Sequence, residues 1–212
     1  MNKKVSVIII LSIILSLYGI ILINNNNNKK EMPIYRSSAM WLYDTSTPEE
    51  AIGISQYAFV AKVNKVLRTE YKNPIEVEIS ADGKETKTIY SPYTIYEITI
   101  IDNIKGSLVT NKPIEFMHYG GINKDEDSYT FLDNGKMLVP GNYYILLPSV
   151  WNDENILEVS EPSRIIELGK NLKSSTSVNS INLYKKAYIN QIIPEDFKSN
   201  PNISKYDVNY TQ

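Results

Sequence analysis

Residues 93–104, YTIYEITIIDNI, place Tyr93, Ile95 and Ile101 on one side of an alternating pattern and Tyr96, Ile98 and Ile100 on the other. An extended segment that is apolar on both faces belongs at the centre of a sheet, with material packed above and below it. Tyrosine, threonine and isoleucine dominate the stretch, and these types fit a pleated surface better than a helix. Ser91-Pro92 before it and Lys105-Gly106 after it are breaker pairs, so a strand over 93–104 is expected, with Pro92 separating it from what precedes.

Working towards the N-terminus, Ile75, Val77 and Ile79 alternate with Glu76 and Glu78, and Thr86, Thr88 and Tyr90 alternate with Lys87 and Ile89. Between the two runs lies Ala81-Asp82-Gly83-Lys84, a hairpin signal with one exposed face, so this ribbon is expected to project from the sheet. Residues 57–67, YAFVAKVNKVL, read as a strand with one mostly buried face. Before them, Thr47-Pro48-Glu49-Glu50 is a capping box with proline at the first helical position, predicting a helix over 48–56.

Towards the C-terminus, 113–119 reads as a strand stopped by Gly120-Gly121, followed by a charged loop over 122–128, a strand over 129–132 and a turn at Asp133-Asn134-Gly135. Pro140-Gly141 turns the chain into a buried run over 142–148, and further strands are expected at 156–159 and 164–168. The Ser- and Asn-rich segment 171–180 reads as a linker. Ile181, Tyr184, Tyr188 and Gln191 fall at helical spacing, giving a terminal helix over 181–192 ended by Pro194, with a loosely ordered tail over 195–212. Six to eight short strands with a helix at each end make the fold mostly β, an OB-like barrel or a small sandwich.

The segment 5–23, VSVIIILSIILSLYGIILI, has no charged residue and follows Lys3 and Lys4. At about 1.5 Å per residue it is roughly 28 Å long, close to a hydrocarbon core of about 30 Å. It exceeds an ordinary signal core and lacks a small-residue cleavage pair, so an uncleaved transmembrane anchor is expected over a cleaved signal. With zero cysteines, lipid attachment through a thioether is excluded. The flanking lysines favour the N-terminus inside and the remainder extracellular, in the cell membrane of a bacterium. The organisation is then a cytoplasmic stub (1–4), an anchor (5–23), a spacer containing Asn24 to Asn28 (24–45), a β domain (46–170) and a linker, helix and tail (171–212).

Beyond the anchor the chain is net acidic, which argues against nucleic acid as a partner. Sixteen tyrosines against four phenylalanines fit half-buried sheet positions with wet hydroxyls, or an aromatic ligand surface. His118 is the only histidine. A zinc site or a serine triad would have to be built around it alone, and no Gly-x-Ser-x-Gly elbow or phosphate loop is present. Asn123, Asp125 and Asp127 occupy positions 1, 3 and 5 of a calcium loop, but Ser128 replaces the sixth-position glycine and Asn134 the bidentate glutamate. No catalytic, cofactor or metal residue is nominated. The strand end His118, Tyr119, Gly120 and Gly121 is the candidate ligand or turn region, since paired glycines allow close backbone approach or a sheet corner.

Four stretches together, YAFVAKV from Tyr57, PYTIYEITIIDNIKG from Pro92, HYGG from His118 and PGNYYILL from Pro140, resemble a group of uncharacterised secreted or membrane-anchored Gram-positive bacterial proteins. The resemblance covers about residues 50–170 and implies an OB-like barrel similar to netrin-like modules and tissue inhibitors of metalloproteinases. It carries no functional residue, because those inhibitors act through an N-terminal cysteine that this chain lacks. The expected role is a membrane-anchored, non-enzymatic binding module for a cell-envelope protein or glycan. The alternatives are an envelope hydrolase using carboxylates and an extracellular protease inhibitor.

Overall fold

The structure, a computed structural model, describes residues 32–80, 85–151, 154–198 and 202–211. The anchor, the asparagine spacer and the Ala81-Asp82-Gly83-Lys84 turn lie outside the described residues. In chain order the elements are β1 (Ile34–Ser37), α1 (Pro48–Gly53), β2 (Ala58–Glu78), β3 (Thr86–Lys105), β4 (Pro113–Tyr119), β5 (Gly121–Ile122), β6 (Tyr129–Leu132), β7 (Tyr143–Leu146), β8 (Ser149–Trp151), β9 (Ile156–Val159), β10 (Ile165–Gly169) and α2 (Ser175–Ile189). Seven strands in the order β10-β7-β2-β3-β4-β9-β8 make a sheet that curls into a half-barrel, and β1-β6-β5 make a small second sheet. The fold is mostly β, as expected, with β3 central. The curl does not close, since β10 and β8 remain the two ends of the sheet.

Alternation explains the layering. Phe59, Ala61 and Val63 of β2, Tyr96, Ile98 and Ile100 of β3, Phe116 of β4, and Tyr144 and Leu146 of β7 point to the concave side and form the main core. Their neighbours Ala58, Val60, Ile145 and Leu147 point the other way and are covered by Ala51 and Ile52 of α1 and by Tyr184 and Ala187 of α2. The strand start at 58–61 is therefore buried on both faces, where one was expected, because the two helices form an outer layer over it. Each fully buried large side chain contributes about 1.5–3 kcal/mol relative to exposure.

Tyrosines are central to this core, and their hydroxyls are bonded to the backbone. Tyr96 Oη accepts from Leu138 N at 3.0 Å, Tyr144 Oη from Val139 N at 2.9 Å, and Tyr206 Oη from Glu115 N at 3.2 Å. A ring fills the core while its hydroxyl accepts from a backbone amide, in the loop before β7 for Tyr96 and Tyr144 and in β4 for Tyr206.

The structure corrects several boundaries. β2 and β3 are single strands of 21 and 20 residues, so the ribbon is continuous with the central hairpin. Pro92 does not break it: Tyr71 pairs with Pro92, whose carbonyl accepts from Gly120 N at 2.8 Å. The irregularity sits on the partner strand, where Asn73 and Pro74 oppose Tyr90 alone in a bulge, with Asn73 at φ 51°. The capping box at Thr47 and Glu50 forms as expected, but the helix ends at Gly53. The linker reading of 171–180 is wrong from Ser174 onward, because Ser174 caps α2 and Ser177 is buried, donating to Leu168 O at 2.9 Å. The spacer reading fails at 34–37, where β1 pairs in parallel with β6. Nor is the tail loose at 204–208, since Ser204 is buried, Leu108 bridges to Asp207 and Val208 N donates to Ser107 O.

Candidate functional site

Two clefts adjoin at the end of the half-barrel beside α1. The larger, about 420 Å³, is lined by Gly53, Gln56, Tyr57, Lys105, Phe197 and Asp207, among others. The smaller, about 270 Å³, is lined by Trp41, Tyr43, Gln56, Ser149, Arg164 and Lys198, with Phe197 shared between the two. Local sequence explains how they are built. Gly53 ends α1 where the segment after α2 crosses it, and a Cβ there would lie 1.7 Å from Ile192 O. Ile192 N donates to Glu49 O at 3.1 Å, which fixes that crossing.

Lys105 closes the floor of the larger cleft. Its Nζ donates to Ile52 O at 2.7 Å, Gly53 O at 3.3 Å and Gln191 Oε1 at 2.9 Å, so it ties the C-terminal carbonyls of α1 to the segment after α2. Burial, with the charge of Arg164 adding to it, pulls its pKa down to about 8. Tyr57 Oη donates to Asp207 Oδ2 at 3.0 Å and accepts from Ser204 N at 3.2 Å, with burial pushing its pKa up to about 12. The far wall is thereby made of the C-terminal tail.

In the smaller cleft Arg164 Nη2 donates to Ser55 Oγ and to Ser149 Oγ, each at 3.1 Å, while its buried Nε has no hydrogen-bond partner among the described residues. Tyr43 and Phe197 meet edge to face with centroids 5.4 Å apart. Together the clefts offer aromatic walls, amide and hydroxyl groups and cationic side chains. Their serine hydroxyls are committed, Ser55 Oγ to Ala51 O at 2.6 Å and both Ser55 and Ser149 to Arg164.

The nominated strand end is elsewhere. His118 is buried, and Nδ1 has no hydrogen-bond partner among the described residues. Burial lowers its pKa to about 4, so the imidazole is neutral. It borders a cavity of about 120 Å³ lined by Asn134, Gly135, Lys136, Leu138, Pro162 and Ile165, with no carboxylate among them. Tyr119 points to the opposite side, where it meets Tyr93 edge-on at 5.2 Å and lines a separate cleft near the base of the ribbon. Gly120 and Gly121 adopt φ 105° and 147° and carry the chain from β4 into β5. A Cβ on Gly120 would lie 2.4 Å from Phe131 Cδ1. His118 and Tyr119 are thus separated by the sheet, and the glycines make a corner.

The polar groups of the acidic loop are already partnered, partly by neighbouring strands. Asn123 Oδ1 accepts from Thr130 Oγ1, Asp125 pairs with Lys87 at 2.7 Å, and Asp127 accepts from Ser128 Oγ. Arg164, Ser55 and Ser149 were not nominated from sequence, and no local pattern marks them. No helix among the described residues is long and apolar enough to cross a membrane. No protein-family model and no curated protein matches the chain.

Proposed function

We propose that this chain is a membrane-anchored, extracytoplasmic binding module, held by residues 5–23, that recognises a cell-envelope protein or glycan in the paired clefts beside α1. The supporting observation is the cleft pair itself: about 420 and 270 Å³, sharing Gln56 and Phe197, with aromatic walls and convergent polar groups. The larger cleft falls within the volume range usual for ligand sites. The curled sheet and its flanking helices are read as an opened OB-like barrel akin to netrin-like modules. The cavity beside His118 has no carboxylate in its lining, so it offers no acid pair for the hydrolase alternative at that position.

Immobilised full-length chain in detergent, challenged with solubilised envelope proteins and glycans, is expected to retain a ligand that Phe197→Ala or Gln56→Ala releases. Consistent failure to retain anything, or retention unchanged in both variants, would count against the reading. The inhibitor alternative has one observation in its favour, the ribbon side chains Ile75, Ile79 and Ile89, which are 61%, 58% and 50% exposed. Assays of extracellular proteases with a ribbon-deleted chain separate it from cleft binding.

A further inference from the structure

Arg164 is a half-buried cation that forms no ion pair among the described residues, and its Nε is fully buried. Glu158 and Glu161 are near enough to act on it electrostatically, yet neither forms an ion pair with it. Each is turned to hydroxyls instead, Glu158 to Ser160 and Glu161 to Thr45 and Ser163. Burial also raises Glu158 to about 7, so at neutral pH it supplies only part of a negative charge. Of the five guanidinium N–H groups, those on Nη2 are taken by Ser55 and Ser149. Nε is buried and unpartnered, and Nη1 makes no hydrogen bond among the described residues. A guanidinium drawn partly out of water with donors left unpaired is costly, and a ligand anion that reached it would supply the missing partner.

The surroundings specify that partner. Arg164 lines the 270 Å³ cleft beside Trp41, Tyr43 and Phe197, with Lys198 at the same cleft and Lys105 close enough to feel its charge. We propose that Arg164 receives a carboxylate borne on an aromatic or aliphatic group, as at the C-terminus of a peptide, whose side chain packs against Trp41, Tyr43 and Phe197. One guanidinium with two supporting hydroxyls matches a single carboxylate charge, and the aromatic walls match the apolar body. The proposal rests on the binding-module reading and names its ligand chemistry.

The test uses the full chain in detergent micelles and fluorescence anisotropy of an N-terminally fluorescein-labelled Gly-Gly-Ser-Phe peptide, as the free acid and as the C-terminal amide. The acid is expected to bind at least about tenfold more tightly. Arg164→Gln is expected to bring that ratio to about one, with Arg164→Lys retaining part of it. The exposed Lys198→Glu keeps the fold and is expected to weaken the acid more than the amide, so the proposal stays testable if Arg164→Gln does not fold. Free N-acetyl-phenylalanine should displace the labelled acid, distinguishing a small acid from a peptide requirement by its potency. Inorganic phosphate displacing it better than acetate would overturn the carboxylate assignment. Absence of binding by either peptide would overturn it as well. Equal binding of acid and amide that Phe197→Ala abolishes removes the carboxylate but leaves the cleft reading standing, whereas binding indifferent to Phe197→Ala removes the cleft.

Discussion

Two residues whose protonation is shifted by desolvation, buried His118 and half-buried Glu158, oppose each other in their effect on stability. His118 falls from 6.5 to about 4 on folding, so the unfolded chain binds its proton more tightly and stability is lost as pH drops through that window. Glu158 rises from 4.5 to about 7, so the folded chain holds its proton more tightly and stability is lost as pH climbs from 4.5 to 7. Each slope is about 1.4 kcal/mol per pH unit, and between 4.5 and 6.5 they cancel. Urea unfolding of the wild type should therefore be nearly flat there, while Glu158→Gln should gain stability with rising pH across it. A flat profile in Glu158→Gln would contradict the burial assigned to His118. At Gly120, φ 105° and the closeness of Phe131 both oppose a side chain. Gly120→Ala should cost roughly 2 kcal/mol or more, read as a lowered melting temperature. The glycine pair was legible as a corner or a groove, but its sequence alone could not decide between them, since the deciding neighbour, Phe131, comes from β6.

Among the elements, those fixed by local chemistry were the readable ones. The Thr47 and Glu50 capping box starts α1, and alternation with flanking turns places β4 at Pro113–Tyr119, β6 at Tyr129–Leu132 and β9 at Ile156–Val159. Misreadings occurred where tertiary partners decide. Pro92 stays in register opposite Tyr71, and the irregularity falls instead at Asn73 and Pro74 on the other strand. The first turn of α2 is rich in serine, a poor helix former in isolation, yet Ser174 caps it and Ser177 is satisfied by Leu168 O and Asn171 O. The long ribbon is a separate case, with Ile75 directly opposite Ile89 on a face left exposed. Ile75→Thr and Ile89→Thr should each change unfolding free energy by less than about 0.5 kcal/mol, as expected for exposed positions outside the core. A loss of 2 kcal/mol or more by denaturant titration would mean that the ribbon is packed against something in the folded protein.

At the scale of the whole molecule, helices and tail are what build the two clefts beside the curled sheet. α1 and α2 cover the outer face of β2 and β7, Lys105 ties α1 to the chain after α2, and Tyr57 holds the tail through Ser204 and Asp207. The clefts lie where these pieces meet. That meeting was not legible in the sequence: Arg164 finds one hydroxyl 109 positions away at Ser55 and the other 15 away at Ser149. Fold class was readable because alternation is a local property, whereas the cleft is made by side chains distant in sequence. The most direct test is amide hydrogen exchange on the full chain in detergent micelles, with and without the ligand retained from the envelope fraction. Binding in the clefts predicts slowed exchange over 53–57, 105–106 and 193–198 and no change in the ribbon arms over 75–79 and 86–90. Protection confined to the ribbon arms, with those cleft segments unchanged, would contradict it.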